Sequence, residues 1–364
     1  MEGEIYNFIK VWLSVLISLC YCYAIGKITP KGFTRLLCVL PVVCLFLFLP
    51  LKLASIHLGG ITAFFIAWLA NFKILLFAFG KGPLSSSDPP HPLPRFMAMA
   101  CLPIKIQQNP HLNAQNKHNP DRKSPKKGHK SLFNYAIKFL LLASLIHVYD
   151  YSDYLHPKLI LFMYGFHIFF VLELTLAMVA ALVRSLFSLE LEPQFDEPYL
   201  STSLQDFWGR RWNIMVTSIL RPTVYEPVLY FFSRAIGRKW APLPAVFSTF
   251  IVSAVMHELI FYYLGRTWPT WEITWFFVFH GICLMLEIAL KKALANTKFG
   301  WRLPTPVRIL LTVGFVMITG FSWFFPQLLR CGADVRAFEE YAAVGAFLKK
   351  VGRAFAFQSL STSS

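Results

Sequence analysis

Eight apolar segments, each long enough to form a membrane-crossing helix, constrain this chain more than any other feature of its sequence. A helix needs about 20 residues to cross the hydrocarbon core of a bilayer. One such segment would also suit a buried helix of a soluble protein, but eight together indicate an all-α, polytopic membrane protein. The predicted spans lie near residues 8–26, 34–51, 55–79, 132–149, 158–183, 243–264, 271–290 and 308–329. The proline-broken run 222–233 is too short to cross and is predicted to be a partial or re-entrant element.

Composition supports a lipid environment. Hydrophobic residues make up 56% of the 364 and charged residues only 15%, whereas a soluble domain carries about 25% charged residues. This balance excludes a disordered chain, a secreted disulfide scaffold and an ordinary cytosolic enzyme. The seven cysteines form no C-x-x-C pair, so neither a disulfide framework nor a zinc site is expected. The N-terminal MEGEIYNFIK is acidic where a signal peptide is basic, so we expect the first apolar run to remain as a transmembrane helix.

The basic residues predict an orientation. Lysine and arginine concentrate in loops 27–35, 80–130 and 291–308, which an eight-span arrangement places on one side. The positive-inside rule makes that side cytosolic, with both termini lumenal. Loop 80–130 is also proline-rich, and its net charge of +7 suits a topological signal, or else a contact with anionic lipid or with the phosphates of a soluble cofactor.

Residues 192–221 form the first candidate site. At 100° per residue, a helix starting at Ser203 as N-cap would carry Leu204, Trp208, Trp212, Met215 and Ile219 on one apolar stripe. The opposite face would carry Asp206, Arg210, Asn213 and Thr217. We therefore predict one amphipathic helix over 203–220 at the bilayer interface. Interface anchoring explains the tryptophans, but Asn213 lies too far from the predicted helix ends to be a capping residue.

His257 is the second candidate, because it lies deep in the span 243–264. Polar groups at that depth face the protein interior or a water-filled cavity and are functional candidates. Ser253 and Phe261 share its helix face, and Glu258 points about 100° away. Phe261 stands where the metal motif H-E-x-x-H needs a second histidine, so no metal is expected. The other histidines in apolar runs are expected to be packing residues: His57, His147, His167 and His280.

This pair of residues suits acyl transfer from a thioester to an alcohol. A neutral histidine takes the hydroxyl proton near pH 7, and an asparagine amide donates to the developing oxyanion. The thiolate of coenzyme A leaves readily, so no enzyme nucleophile is needed. A basic cytosolic mouth would hold the coenzyme's phosphates, and an apolar interior would exclude water.

The motifs resemble one known family. SLQDFWGRRWN (203–213), EPYL (197–200), HE (257–258), FYYL (261–264) and WFFP (323–326) are similar to the plant wax synthase family, the long-chain-alcohol O-fatty-acyltransferases. That family is distantly related to the membrane-bound O-acyltransferases. The resemblance implies a single membrane-embedded acyltransferase domain over residues 1–364, with its signature region at 192–264 around an intramembrane reaction chamber. It also implies an endoplasmic-reticulum location.

The same resemblance implies the site. His257 would be the catalytic base and Asn213 its partner, with Trp212 completing the pair. Acyl-CoA would be the co-substrate, with no permanently bound cofactor. Candidates for contacting the substrate or coenzyme A are Asp206, Arg210, Arg211, Trp212, Ser253 and Glu258.

Three functions remain open at this point. The first is wax-ester synthesis from acyl-CoA and a long-chain fatty alcohol. The second keeps the chemistry but uses acetyl-CoA with diacylglycerol, or acyl-CoA with a sterol. The third is a lipid transporter or lipid-binding membrane protein in which His257 and Glu173 form a polar pathway, although the inverted repeats typical of transporters are not evident. Expected partners are acyl-CoA, a lipid alcohol and membrane lipids, and not nucleic acid.

Overall fold

Eight helices that are long and apolar enough to cross a membrane organise the protein. The structure is a computed structural model that describes residues 2–85, 91–104, 132–187, 191–294 and 303–361. Within these ranges the eight helices are α1 (Gly3–Ile28), α2 (Phe33–Lys52), α3 (Ile56–Ala78), α4 (Leu132–Tyr154), α5 (Pro157–Phe187), α6 (Pro242–Gly265), α7 (Glu272–Leu294) and α8 (Thr305–Arg330). The predicted all-α, multi-pass architecture is confirmed, and each helix coincides with one predicted span.

Further helices, most of them shorter, connect or follow these eight. They are Leu93–Cys101, Leu204–Asp206, Ile214–Leu220, Glu226–Ala235 and Ala333–Ser361. The run 222–233 is helical in the structure but is not among the eight long apolar helices. Residues 91–104 of the predicted basic loop are described and include the helix Leu93–Cys101. Residues 86–90 and 105–131, which carry most of the loop's charge, lie outside the described residues, as do 295–302 of the basic tract 291–308.

Helix α3 differs from the other seven because protein surrounds it. In its most apolar window 78% of the residues are buried, against 11–39% in the other seven. Its central stretch AFFIAWLA is apolar on every side, which is typical of a helix enclosed by protein. Its central stretch, Ala63–Ala70, winds as a π-helix. π-helical turns occur often at functional sites.

The described chain divides into two compact units. Unit 1 comprises 1–87, 250–279 and 322–364, and unit 2 comprises 88–249 and 280–321. In unit 1, α3 packs on α6 through Ala63, Ala67 and Tyr263. The Tyr263 hydroxyl donates to the Leu47 carbonyl at 2.6 Å and so satisfies its own polar end in this apolar contact.

A carboxylate of the C-terminal helix caps the start of α3 in unit 1. Glu340 accepts hydrogen bonds from the backbone N–H groups of Ile56 (2.6 Å) and His57 (3.2 Å), and from the His57 Nδ1 at 2.7 Å. The first N–H groups of a helix have no partner inside the helix, and an acidic group there is favourable. Burial alone would raise the pKa of Glu340, but these bonds and one from Ser55 lower it to about 2. His57 is therefore a structural residue, as predicted.

An intramembrane ion pair joins α4 to α5 in unit 2. The Nζ of Lys138 lies 2.7 Å from an Oε of Glu173, and both side chains are buried. Charged side chains within transmembrane segments are costly, and they usually pair with one another. Glu173 therefore neutralises a partner on the neighbouring helix.

Candidate active site

Residues 203–220, here called the signature segment, do not form one helix. The prediction of a continuous amphipathic helix over these residues is wrong. The chain forms the short helix Leu204–Asp206 and a π-helical turn, Phe207–Arg211. It is then extended at Trp212 (φ −89°, ψ 125°) and left-handed at Asn213 (φ 38°, ψ 67°). A new helix begins at Ile214.

Contacts with residues far along the sequence cause this break. The Ile214 N–H donates to the carbonyl of Gln194 at 2.8 Å, and the Asp196 N–H donates to the carbonyl of Arg211 at 2.9 Å. These bonds take backbone groups that a continuous helix would use internally. These bonds cannot be read from helical periodicity. The predicted apolar stripe and polar face therefore apply only within each half of the segment, before and after the break.

Asn213 is a helix-capping residue, contrary to the sequence-based expectation. Its Oδ1 accepts from the Val216 N–H at 3.3 Å, and asparagine is among the few residues that adopt a left-handed conformation readily. The capping bond uses only the carbonyl half of the side-chain amide. Within the described chain the Nδ2 has no partner, so its N–H groups remain as donors on a rigidly held, partly exposed side chain.

Ser203 is the predicted N-cap, with its Oγ accepting from the Asp206 N–H at 3.1 Å. Asp206 in turn accepts from the Thr202 N–H at 3.2 Å and from the Arg211 Nε at 2.9 Å. Arg211 also donates to the carbonyls of Asp196 and Glu197. Asp206 and Arg211 therefore hold the signature segment together. Arg210, by contrast, is exposed and has no partner among the described residues.

Aromatic rings surround Trp212. Its ring stacks on Phe207 (5.5 Å between centroids, 14° between planes) and meets Phe195 edge-on at 5.3 Å. Phe169 of α5 lies 6.3 Å away. The cluster fixes the backbone immediately before Asn213, so Trp212 acts as an anchor for the residue that follows it.

His280 holds the other tryptophan of the signature, a role that the sequence analysis missed. The indole N–H of Trp208 donates to the His280 Nδ1 at 3.1 Å. Because an indole can only donate, the proton of His280 must be on Nε2, which donates to the Thr319 Oγ1 at 2.8 Å. The Thr319 hydroxyl donates onward to the Phe315 carbonyl. No spacing rule pairs position 208 with 280.

His257 is held in a single tautomer by its own helix. Its Nδ1 lies 2.7 Å from the carbonyl oxygen of Ser253. A carbonyl only accepts, so Nδ1 carries the proton and Nε2 carries the lone pair. Within the described residues Nε2 has no hydrogen-bond partner. Ser253 contributes its backbone carbonyl, one turn earlier on α6, and thereby orients the imidazole.

Three aromatic side chains surround the His257 imidazole. Phe277 of α7 lies against it at 4.3 Å and 33°, and Trp68 of α3 meets it edge-on at 5.1 Å and 80°. Phe324 of α8 completes the group at 6.2 Å. All of these residues belong to unit 1. The three rings make the surroundings of the imidazole aromatic and apolar.

Glu258 joins two helices. Its Oε1 accepts from both the N–H (3.0 Å) and the hydroxyl (2.9 Å) of Thr274 at the start of α7. Phe261, one turn from His257, packs against Phe324 at 5.4 Å. Among the described residues, no three His, Cys, Asp or Glu side chains are grouped to hold a metal ion.

The predicted site residues divide between the two units. His257, Ser253 and Glu258 belong to unit 1. The signature residues belong to unit 2: Asp206, Arg210, Arg211, Trp212 and Asn213. Each group is held by the hydrogen bonds given above. Within the described residues, the Nε2 of His257 in unit 1 and the Nδ2 of Asn213 in unit 2 have no hydrogen-bond partner.

Comparison with known proteins identifies the family. The model of the membrane bound O-acyl transferase family matches residues 191–279, which include both candidate segments. The chain is 50% identical to acyl-CoA–sterol O-acyltransferase 1 of Arabidopsis thaliana, over 95% of this chain and 97% of that protein. It is 43% identical to the long-chain-alcohol O-fatty-acyltransferase of Simmondsia chinensis, over 96% and 97%. It is 46% identical to probable long-chain-alcohol O-fatty-acyltransferase 3 of Arabidopsis thaliana, over 93% and 94%. With this identity over nearly its whole length, the chain belongs to the plant wax synthase family and is a multi-pass membrane acyltransferase.

Proposed function

We propose that the protein transfers the acyl group of an acyl-CoA to the hydroxyl of a lipid alcohol, with His257 as general base. The observation that carries the proposal is the fixed tautomer, in which the Nδ1–H bond to Ser253 leaves the Nε2 lone pair unused. Nε2 takes the hydroxyl proton while the alcohol oxygen bonds to the thioester carbonyl carbon. The carbon–sulfur bond then breaks, and the thiolate receives the proton from Nε2 and leaves as free coenzyme A.

Asn213 is proposed to stabilise the negative charge that forms on the carbonyl oxygen. Its Nδ2 hydrogens are unused among the described residues, and its capping bond fixes the side-chain orientation. A preorganised donor of this kind contributes about 10²–10³ in rate. The rings around Trp212 support it by fixing the preceding peptide.

The remaining predicted contacts take different roles in this proposal. Arg210 is the exposed cation of the signature segment, so it is the proposed ligand of a coenzyme A phosphate. Asp206 and Arg211 act by holding the segment folded, because their charges are paired at 2.9 Å. Ser253 orients the base, and Glu258 fixes α6 to the start of α7.

The names of the relatives support two alcohols as acceptor of the acyl group, a long-chain fatty alcohol and a sterol. Several relatives are named for long-chain alcohols, which favours a fatty alcohol and wax-ester formation. The relative at 50% identity is named for sterols, which favours a sterol. We propose a long-chain fatty alcohol as the first acceptor and a sterol as the second. The transporter alternative loses its polar pathway, because Glu173 is paired with Lys138 in the interior of unit 2. An endoplasmic-reticulum location is part of the proposal.

Expression in a yeast strain that makes no neutral lipid esters tests this function. Cells receive either a long-chain alcohol or a sterol, and the products are identified by mass. The matched control is His147→Ala, which removes an exposed histidine at the end of α4. Wild type and control should form an acyl ester and release free coenzyme A, whereas His257→Ala should not. Lipid movement without thioester consumption would refute the enzymatic proposal.

A further inference from the structure

Trp68 is the side chain of α3 that touches the proposed base. It lies in the π-helical stretch Ala63–Ala70, is 2% exposed, and meets the His257 ring edge-on with centroids 5.1 Å apart. Nothing in its sequence context marks it, since it stands in an unbroken apolar run, AFFIAWLA. The tertiary structure is what brings it to the reaction centre.

Within the part of the chain that the structure describes, the indole N–H of Trp68 has no acceptor. It is buried and makes no hydrogen bond to any described residue. Two other indole N–H groups in the described chain do have acceptors. Trp12 donates to the Thr62 Oγ1 at 3.3 Å, and Trp208 donates to the His280 Nδ1 at 3.1 Å. More than about 90% of buried donors in native proteins are paired, and an unpaired one costs about 1–3 kcal/mol. A donor left unpaired beside a catalytic base therefore calls for an acceptor that arrives with the substrate.

The backbone around Trp68 holds the donor in place. The Asn71 side chain, itself 3% exposed, donates to the carbonyl of Ala67 and to that of Val43, both at 3.2 Å. The bond to Val43 links the π-helical stretch to α2, and the bond to Ala67 gives a partner to the carbonyl of the residue before Trp68. The indole is thus fixed before any substrate binds, as electrostatic stabilisation of a transition state requires.

We propose that the Trp68 indole N–H donates a hydrogen bond to the acyl carbonyl oxygen of the thioester, and to the oxyanion that this oxygen becomes when the alcohol attacks. The inference rests on the proposed function, because it takes His257 as the base. The carbonyl oxygen gains charge as its carbon–oxygen π bond opens, and that charge returns to the carbon when the carbon–sulfur bond breaks. The indole keeps its proton throughout and acts only as a donor.

A purely packing role for Trp68 makes a different prediction. If the ring only supports the His257 imidazole, phenylalanine at position 68 should support it nearly as well, because the edge contact needs an aromatic ring and not an N–H. If the N–H binds the carbonyl, phenylalanine should lose that bond for every ligand that has a carbonyl there, and for no other ligand.

Two substrate analogues separate these accounts in the purified full-length protein. One is an S-(2-oxoalkyl)-CoA, which keeps a ketone near the position of the thioester carbonyl, and the other is the S-alkyl-CoA thioether, which has no carbonyl. Their inhibition constants are measured for wild type, Trp68→Phe and the control Trp12→Phe, whose indole is bonded to Thr62. We expect Trp68→Phe to weaken the ketone analogue about tenfold or more, equivalent to about 1.4 kcal/mol, and to change the thioether less than twofold. Its kcat should fall by about 10² with little change in KM, and Trp12→Phe should change neither.

Equal effects on both analogues, or wild-type kcat in Trp68→Phe, would overturn the inference. If Trp68→Phe does not accumulate, benzothienylalanine at position 68 replaces only the N–H by sulfur and keeps the ring shape, and the same two outcomes apply. An active Trp68→Phe together with an inactive His257→Ala would defeat this inference alone. An active His257→Ala would defeat the proposed function, and the analogue measurement still reports on Trp68 because it needs no turnover.

Discussion

Replacing His257 with asparagine separates the proposed base from the rest of the side chain's interactions. Among the described residues the imidazole makes one hydrogen bond, from Nδ1 to the Ser253 carbonyl at 2.7 Å. An asparagine Nδ2 lies at the equivalent distance from the main chain and can donate the same bond. The substitution therefore removes Nε2, the basic nitrogen, while it preserves the polar contact with the helix.

The expected increase in the reaction barrier is larger than the expected loss of stability. Loss of a general base costs about 10²–10⁴ in rate, or about 2.7–5.4 kcal/mol of barrier at about 1.36 kcal/mol per factor of ten. Stability should change much less, because the variant loses mainly ring contacts with Phe277 and Trp68. Aromatic contacts contribute about 0.5–1.5 kcal/mol each beyond their buried area.

The assay measures ester formed and thioester consumed per mole of purified protein, together with the thermal unfolding midpoint. His147→Asn is the matched control, since that histidine is exposed and its Nδ1 lies 3.2 Å from the equally exposed carboxylate of Asp150. We expect His257→Asn to fold and to turn over at least about 10² more slowly than wild type. Turnover within tenfold of wild type in a folded variant would refute the general-base assignment.

Four further outcomes follow from the structure. Asn213→Asp keeps an oxygen to cap Val216 but loses the amide donors, so protein levels should be normal and turnover about 10²–10³ lower; near-normal turnover per mole of protein would contradict the donor role. His280→Ala removes the acceptor for Trp208 and opens a cavity at a fully buried site, so it should lower the free energy of unfolding by about 2–5 kcal/mol, seen as a lower unfolding midpoint. Because the pKa of Glu340 is depressed from 4.5 to about 2, its stabilisation is present above pH 4.5 and is lost as pH falls through 2; the difference in unfolding midpoint between wild type and Glu340→Gln should therefore shrink across that range, and a constant difference would argue against it. Protease protection in sealed microsomes should find tags in loops 80–130 and 291–308 on the cytosolic side and both termini protected; a protected loop would mean a different orientation.

Much of the architecture was predictable because it depends on sums over neighbouring residues. Hydropathy over about 20 residues identifies a span. A single segment in lipid forms a helix because a helix makes all of its backbone hydrogen bonds within the segment. Most of the helices extend beyond the predicted spans at one or both ends, as in Pro157–Phe187 against 158–183, because a helix does not end where the hydrocarbon ends. The sequence analysis placed Ser253 on the same helix face as His257, and the Ser253 carbonyl does contact the imidazole from one turn earlier on that helix.

The local conformation of the signature segment was not predictable. Periodicity assumes one uninterrupted helix, but the chain breaks at Trp212 and Asn213, where Gln194 and Asp196 take over hydrogen bonds of Ile214 and Arg211. Those bonds join residues 15 to 20 positions apart, and a helical-wheel analysis cannot contain them. The same limit applies to His280, whose partners at 208 and 319 lie on other segments.

The sequence by itself determined the membrane environment and the number of candidate spans, because both follow from residue type and short-range spacing, and it led to the proposal of His257 and Asn213 as site residues. Only the tertiary structure decided which of those groups remain unpaired. It occupied Asp206, Arg211 and Glu258 with structural bonds, left Nε2 of His257 unpaired within the described chain, and brought Trp68 to its ring. Pairing depends on positions that are remote in sequence and adjacent in space, and that adjacency is set when the helices pack.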